Sequence, residues 1–431
     1  MTAASATQAG GCILRQVRPA FDRRLAPAGH GPLAVAFSGG GDSLACLLAA
    51  RAWAHGCGRA VVALSVDHGL QAAGAAWVRH AEAVARELGC GFQALAWTGE
   101  KPAAGLSAAA RAARHRLLAE AARGAGAKVL LLGHTADDVL EAGLMREAGS
   151  NVGDPSEWSP SPAWPEGRGL FLFRPLLSVR RPALREMMAG QAWIEDPANA
   201  DPRSARARAR RQASSLHHAA PDGQSSEGEG TPPSGGGAGV FDWVEADAFG
   251  VIRIGRAALC AAAPAAARRL LARACVCAGG GDRLPRTQQV ARLLERIGAG
   301  EAFAATLAGS RLQAGEALVI CRDAGRQGLP AASLPPGGTL AWDGRYEVAA
   351  GTSKVELAAL RGKASHLPAA ERRRLAAVPA AARATLPVIL GDGETVTCPL
   401  LAEGGEVRWR SLVPGRLLAA CGWIERESQL P

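Results

Sequence analysis

The chain has 431 residues, of which 48% are apolar and 20% charged; this suits a soluble globular protein of two or three domains and excludes global disorder or one small stapled module. Its formal charge is +10, and the basic residues are forty-five arginines against four lysines. Arginine grips phosphate oxygens in pairs, so this balance admits a nucleic acid partner, although a chain so rich in Ala, Gly and Arg also fits a GC-biased coding sequence.

From the N-terminus onward, residues 1–21 lack the basic head, apolar stretch and small-residue cleavage site of a secretory signal. No later apolar run is long enough to cross a bilayer, so a cytoplasmic protein without a membrane partner is expected. Between 32 and 132, short apolar runs alternate with amphipathic stretches: strands at 33–37, 61–66, 92–96 and 128–132, helices at 44–54, 75–88 and 107–123. The alternation predicts an α/β fold, a doubly wound parallel sheet that gathers its ligands at the carboxyl ends of its strands. Residues 151–169, rich in Pro, Ser, Gly and Trp, read as a long loop, and a helix is expected at 181–191.

Residues 216–240 have almost nothing to bury and read as a flexible linker. Deleting residues 221–237 is therefore expected to leave the melting temperature nearly unchanged; a large fall would show that the segment packs against a domain. Helices at 256–278 and 286–297 follow, then a strand-and-turn pattern at 312–321. The expected division is a catalytic α/β domain over 1–215, the linker over 216–240, a small helical domain over 241–300 and a mixed C-terminal domain over 301–431. The ten cysteines show no C-x-x-C pair; Cys275 and Cys277 make a poor metal signature, and the scatter suits a reducing compartment.

The chemistry concentrates after the strands. Ser38-Gly39-Gly40-Gly41-Asp42-Ser43 lies between the first strand and the first helix, where glycines let the backbone approach an anion and the helix start offers free N–H groups. It lacks the Lys-Ser/Thr of the kinase-type P-loop and the spacing of the dinucleotide fingerprint. Asp42 within a phosphate cradle calls for a cation such as Mg2+. The second strand ends in Val66-Asp67-His68-Gly69-Leu70 and the fourth in Gly133-His134-Thr135-Ala136-Asp137-Asp138. Between them stands Ala110-Arg111-Ala112-Ala113-Arg114-His115, and after them Arg174-Pro175-Leu176-Leu177 and Glu195-Asp196-Pro197-Ala198-Asn199-Ala200-Asp201.

The hexapeptide resembles the SGGxDS loop of the PP-loop ATP pyrophosphatase superfamily, whose fold is adenine nucleotide alpha hydrolase-like. The series from about 33 to 211, in this order, resembles the tRNA(Ile)-lysidine synthetase family. Departures are local: Val139 and Ala142 stand where the family has Gln and Thr, His115 where it has Tyr, and the loop after Arg146 is replaced. The resemblance implies an ATP-dependent ligase that adenylates the wobble cytidine of a CAU-anticodon tRNA(Ile) and then joins L-lysine to it. It further implies that ATP sits on Ser38, Gly39, Gly40, Gly41, Asp42 and Ser43, with Asp67, His68, Arg111 and Arg114 around the nucleotide.

Asp42 is then the expected holder of Mg2+. Asp137 and Glu141 are expected to receive the lysine ammonium, while Asp138 and Glu141, three apart on a helix, share a face. His134 is either a proton acceptor for the amine or a strand-end histidine bonded to backbone. Arg206 and Arg208, in the run from Arg203 to Arg211, are expected on RNA phosphates, and Trp158 and Trp164 either stack on bases or anchor their loop. Two other readings stay open. Another PP-loop tRNA modifier, such as a cytidine thiolase, is disfavoured by the missing C-x-x-C pairs. A non-catalytic nucleotide-binding module would leave Asp42, Asp137 and the arginine run without a joint purpose.

Overall fold

The computed structural model describes residues 3–29, 31–150, 152–153, 155–196, 205–217, 242–391 and 395–430. Most of the expected linker, Arg203 and the stretch from Pro197 to Asp201 lie outside the described residues. The chain divides into two compact units, one of Met1–Thr231 with Ile424–Pro431, the other of Pro232–Trp423.

The first unit opens with a helix that the sequence reading did not anticipate, α1 (Ala3–Arg24). Then come β1 (Leu33–Ala36), α2 (Gly41–Cys57), β2 (Val61–Asp67), α3 (Gly74–Glu87), β3 (Gly91–Ala96), α4 (Leu106–Gly124) and β4 (Val129–Leu131), within a few residues of expectation. Next are α5 (Ala136–Glu147), β5 (Trp158–Pro160), β6 (Phe171–Phe173), α6 (Arg181–Met187) and α7 (Ala205–His217). The sheet order is β3-β2-β1-β4-β6-β5, parallel except for the β5 edge. Short apolar strands such as β1 and β4 are buried on both faces, the condition under which a parallel strand reads as a continuous apolar run.

One face of the sheet carries α4, whose Leu118, Ala119 and Ala122 share a core with Ala34, Leu64, Leu130 and Leu172. Phe21 of α1 sits 5.2 Å from Phe173 edge-on and 5.9 Å from Trp53. Strand order runs outward from β1 to β3 and then returns to β4, so the topological switch point lies between β1 and β4, and a doubly wound sheet binds its ligand there.

Residues 424–430 complete this unit. Glu427 and Arg59, with side chains only 6% and 3% exposed, form a two-pronged ion pair at 2.7 Å on both prongs. Arg59 also donates to the carbonyls of Ala26 and Gly31, and the indole N–H of Trp158 donates to the Ile424 carbonyl at 3.0 Å. Trp158 further stacks on Phe171, 5.0 Å away, so it anchors its loop.

In the second unit β7 (Val244–Ala246) and β8 (Ile252–Gly255) precede α8 (Arg256–Ala261), α9 (Pro264–Gly279) and α10 (Thr287–Gly298). Pro264 starts a new helix and so divides the single helix expected over 256–278. Strands β9 (Phe303–Leu307), β10 (Ser310–Ala314) and β11 (Ala317–Arg322) join the first two in a sheet ordered β7-β8-β11-β10-β9. Leu271 and Cys275 of α9 share one core with Ile254, Leu312 and Ile320, so these helices do not stand apart from the strands beyond residue 300. A four-stranded and a three-stranded sheet make up the remainder. No helix among the described residues is long and apolar enough to cross a membrane.

Candidate active site

The loop after β1 is built to present bare backbone. Gly39 holds φ at +83°, a left-handed value that favours glycine, and a Cβ there would stand 2.7 Å from Ile194 Cδ1. Helix α2 begins after Gly40 with no side-chain cap, which leaves its first N–H groups and the positive end of its dipole to an anion. Ser43 braces the turn: its hydroxyl donates to the Gly40 carbonyl at 2.8 Å and accepts from the Ser38 N–H at 3.3 Å. Across the switch point, a Cβ on Gly133 would lie 2.5 Å from the Asp42 carbonyl oxygen. Glycine at 133 thus lets the turn before α5 close against the start of α2.

That approach brings four acids and four arginines together. Arg181 Nε donates to Asp42 at 2.8 Å, while its terminal nitrogens reach Glu141 at 2.6 Å and Asp138 at 3.1 Å. Arg206 bonds Glu141 at 3.1 Å and also pairs with Asp138; Arg210 Nε lies 3.7 Å from Glu141. Asp138 additionally accepts from the Thr135 hydroxyl and N–H, closing a capping box at the start of α5. Asp137 points to α6 instead, where it accepts from Arg180 at 2.8 Å and from the Arg181 backbone N–H at 2.8 Å. Burial alone would raise the Asp137 and Asp138 carboxyls, yet the arginines and N–H donors outweigh it and hold both below the usual range. Both therefore stay ionised at neutral pH.

A second group of cations has no such acids. Among the described residues neither Arg111 nor Arg114 meets a carboxylate or a hydrogen-bond acceptor. Arg174 donates to His134 Nδ1 at 3.0 Å, to the Ser156 carbonyl at 2.7 Å and to the Ser159 hydroxyl at 3.1 Å. Burial first, and neighbouring guanidiniums second, push Arg114 and Arg174 down to about 10, still charged at neutral pH. The buried His115, whose two ring nitrogens lack partners among the described residues, falls to about 3 from burial and then from Arg114, Arg111 and Arg174. His68 is lowered by burial and Arg114, against Asp67. Asp67 itself accepts from the Gly69 N–H at 2.7 Å.

Two expectations need correction. His134 is driven down to about 3, chiefly by burial, with Asp138 pulling upward and Arg174, Arg206 and Arg114 pushing further down. An imidazole that weakly basic is a poor proton acceptor. Because its Nδ1 accepts from Arg174, the neutral ring carries its proton on Nε2 and acts as a donor. Arg206, expected on RNA phosphate, instead pairs with the buried acids of α5, one helical turn from Arg210, although its side chain stays half exposed; Arg208 is exposed as well.

Asp42, Asp138, Glu141, His134 and Arg114 are thus gathered at one switch point. The sequence reading missed Arg181 and Arg180, and gave Arg174 no role. The pair directly before Pro182 at a helix start was visible, but forty-five arginines make any one of them inconspicuous. Among the described residues no three His, Cys, Asp or Glu side chains converge as a metal site. One carboxylate beside a phosphate cradle is nonetheless how Mg2+ is commonly held, with phosphates and waters completing its shell, so Asp42 fits a magnesium ion carried on a nucleotide.

A PP-loop domain family matches residues 14–216. The tRNA(Ile)-lysidine synthase of Caulobacter vibrioides is 50% identical over 426 residues, which span 96% of this chain and 99% of that protein. The synthase of Hyphomonas neptunium is 34% identical over 78% of this chain and 91% of its own length. That of Mesorhizobium japonicum is 35% identical over 74% of this chain and 72% of its own. Among solved structures, a U34-tRNA thiolase from Methanococcus maripaludis is similar at 16% identity and a TM-score of 0.38, over 49% of this chain and 75% of that one.

Proposed function

The chain belongs to the tRNA(Ile)-lysidine synthase family, and from that premise we propose that it uses ATP to join L-lysine to the wobble cytidine of a CAU-anticodon tRNA(Ile). A cytosine carbonyl is a weak electrophile. Its C2 oxygen first attacks the α-phosphorus of ATP and releases pyrophosphate. The lysine ε-amine then attacks C2, AMP leaves with the oxygen, and the nitrogen loses a proton.

The backbone from Ser38 to Ser43 receives the pyrophosphate portion, with Asp67 and His68 on the nucleotide side. Arg111, Arg114 and Arg174 meet the remaining anionic groups, and His134 donates from Nε2. Asp42 would hold Mg2+, which would neutralise phosphate charge there. Asp137 and Glu141 receive the lysine ammonium, displacing guanidinium contacts to do so. Arg208, exposed on α7, meets tRNA phosphate.

The observation that carries this reading is the division of charge around one switch point. Arg111 and Arg114, without carboxylates among the described residues, suit a polyanion; the buried Glu141 and the nearby Asp137, held by guanidiniums that a substrate amine would displace, suit a cationic amine. The test is transfer of labelled lysine to a CAU-anticodon tRNA(Ile), with initiator methionine tRNA as control. Transfer that requires ATP and spares the control is expected. Absence of transfer with a well-folded protein would overturn the reading.

A further inference from the structure

Residues Trp193 to Asp196 follow α6 and hold no group that the reaction uses, yet they grip the phosphate loop. The Ile194 N–H donates to the Gly39 carbonyl at 2.9 Å, and the Ile194 side chain fills the space above Gly39, reaching 2.7 Å from where a Cβ would stand. The Trp193 indole lies 3.5 Å from the place of a Cβ on Gly41. Its ring N–H donates to Glu195 at 3.2 Å, and Glu195 lies 3.6 Å from Arg185 of α6. Asp196 accepts from Gln71 at 3.3 Å, which ties the same segment to the loop after β2.

Three consecutive glycines give the loop its close approach to an anion but also great conformational freedom. A donor array binds an anion well only when it is held in place beforehand. A trans peptide sends its carbonyl and its N–H in opposite directions. By engaging the Gly39 carbonyl, Ile194 turns the Gly40 N–H away from the segment, and among the described residues no acceptor takes that N–H. The hydrogen bond therefore selects one of the orientations that glycine permits, and the indole packed along Gly41 steadies the next residue.

We propose that Trp193 and Ile194 are positioning residues that clasp the phosphate loop in its anion-binding shape and, through Asp196 and Gln71, link it to the loop after β2. The proposal rests on the reading that ATP occupies this loop. Nucleotide affinity then depends on side chains that touch no reacting atom.

The test is ATP binding to the full chain by calorimetry, alongside lysine KM. Trp193→Ala and Ile194→Ala are expected to weaken ATP binding about tenfold, roughly 1.4 kcal/mol, with lysine KM nearly unchanged. Trp193→Phe, which keeps a flat ring against Gly41, should restore affinity. The ATP-induced change in tryptophan fluorescence should be smaller in Trp193→Phe than in the parent, although both bind. Native ATP affinity in both alanine variants would overturn the clasp, as would equal losses for ATP and lysine, the mark of general damage. A parent chain that fails to bind ATP would instead remove the reading on which the clasp rests.

Discussion

Asp42→Ala is expected to slow pyrophosphate release from ATP by on the order of a hundredfold or more while leaving the fold intact. The side chain stands in the first turn of α2, beside the phosphate cradle, and is 31% exposed. Its loss deletes charge where the nucleotide must bind. The fold has little reason to suffer, because Arg181 keeps Asp138 and Glu141 when Asp42 is gone. Single-turnover pyrophosphate release and a thermal melt, run at several magnesium concentrations, separate the two effects. Near-native turnover would remove Asp42 from the mechanism, and a large drop in melting temperature would make it a structural residue.

Glu141→Gln is the second variant with a large expected effect. Glu141 is 2% exposed and bonds Arg181 at 2.6 Å and Arg206 at 3.1 Å. Breaking a buried ion pair costs about 3–5 kcal/mol when the partner is stranded, but Arg181 retains Asp42 and Asp138, so a loss nearer the low end is expected by chemical denaturation. Function should fall further than stability. With its charge gone, the pocket holds lysine more weakly, and lysine KM should rise by about tenfold to a hundredfold, since a charge-assisted hydrogen bond is worth about 1.5–3 kcal/mol. Adenylation of the tRNA should persist. Loss of adenylation with native lysine affinity would assign Glu141 to the nucleotide half of the site and leave Asp137 as the acid for lysine.

Much of this was legible beforehand. Strands β1 to β4 and helices α2 to α4 follow from apolar runs and periodicity; β1 and β4 are the plainest, because burial leaves no polar residue to blur them, whereas β3 is largely exposed. The turn from Ser38 to Ser43 is as clear, since only glycine serves there. What escaped did so for physical reasons. Helix α1 contains Gly10, Gly11 and Pro19, which mask a spacing otherwise plain in Ala6, Ala9, Ile13, Val17 and Phe21. Strands β5 and β6 are three residues each, and β5 sits in a stretch dominated by loop-forming residues. Arg181 is invisible for another reason: its role comes from three acids on two other helices, and no local pattern encodes that meeting. The histidine at 134 shows the same limit, because burial and three guanidiniums, none of them adjacent in sequence, decide its protonation.

The pairing of Arg59 with Glu427 has a consequence in time. The two residues are 368 positions apart, so during synthesis β1 to β6 emerge long before the carboxylate that the buried guanidinium requires. Until residue 427 is made, Arg59 has the carbonyls of Ala26 and Gly31 but no opposite charge. The nucleotide-binding half of the polypeptide is thus finished last although it is translated first. A ribosome that halts within the second unit releases a product whose sheet is complete in sequence yet still lacks the ion pair that seals it.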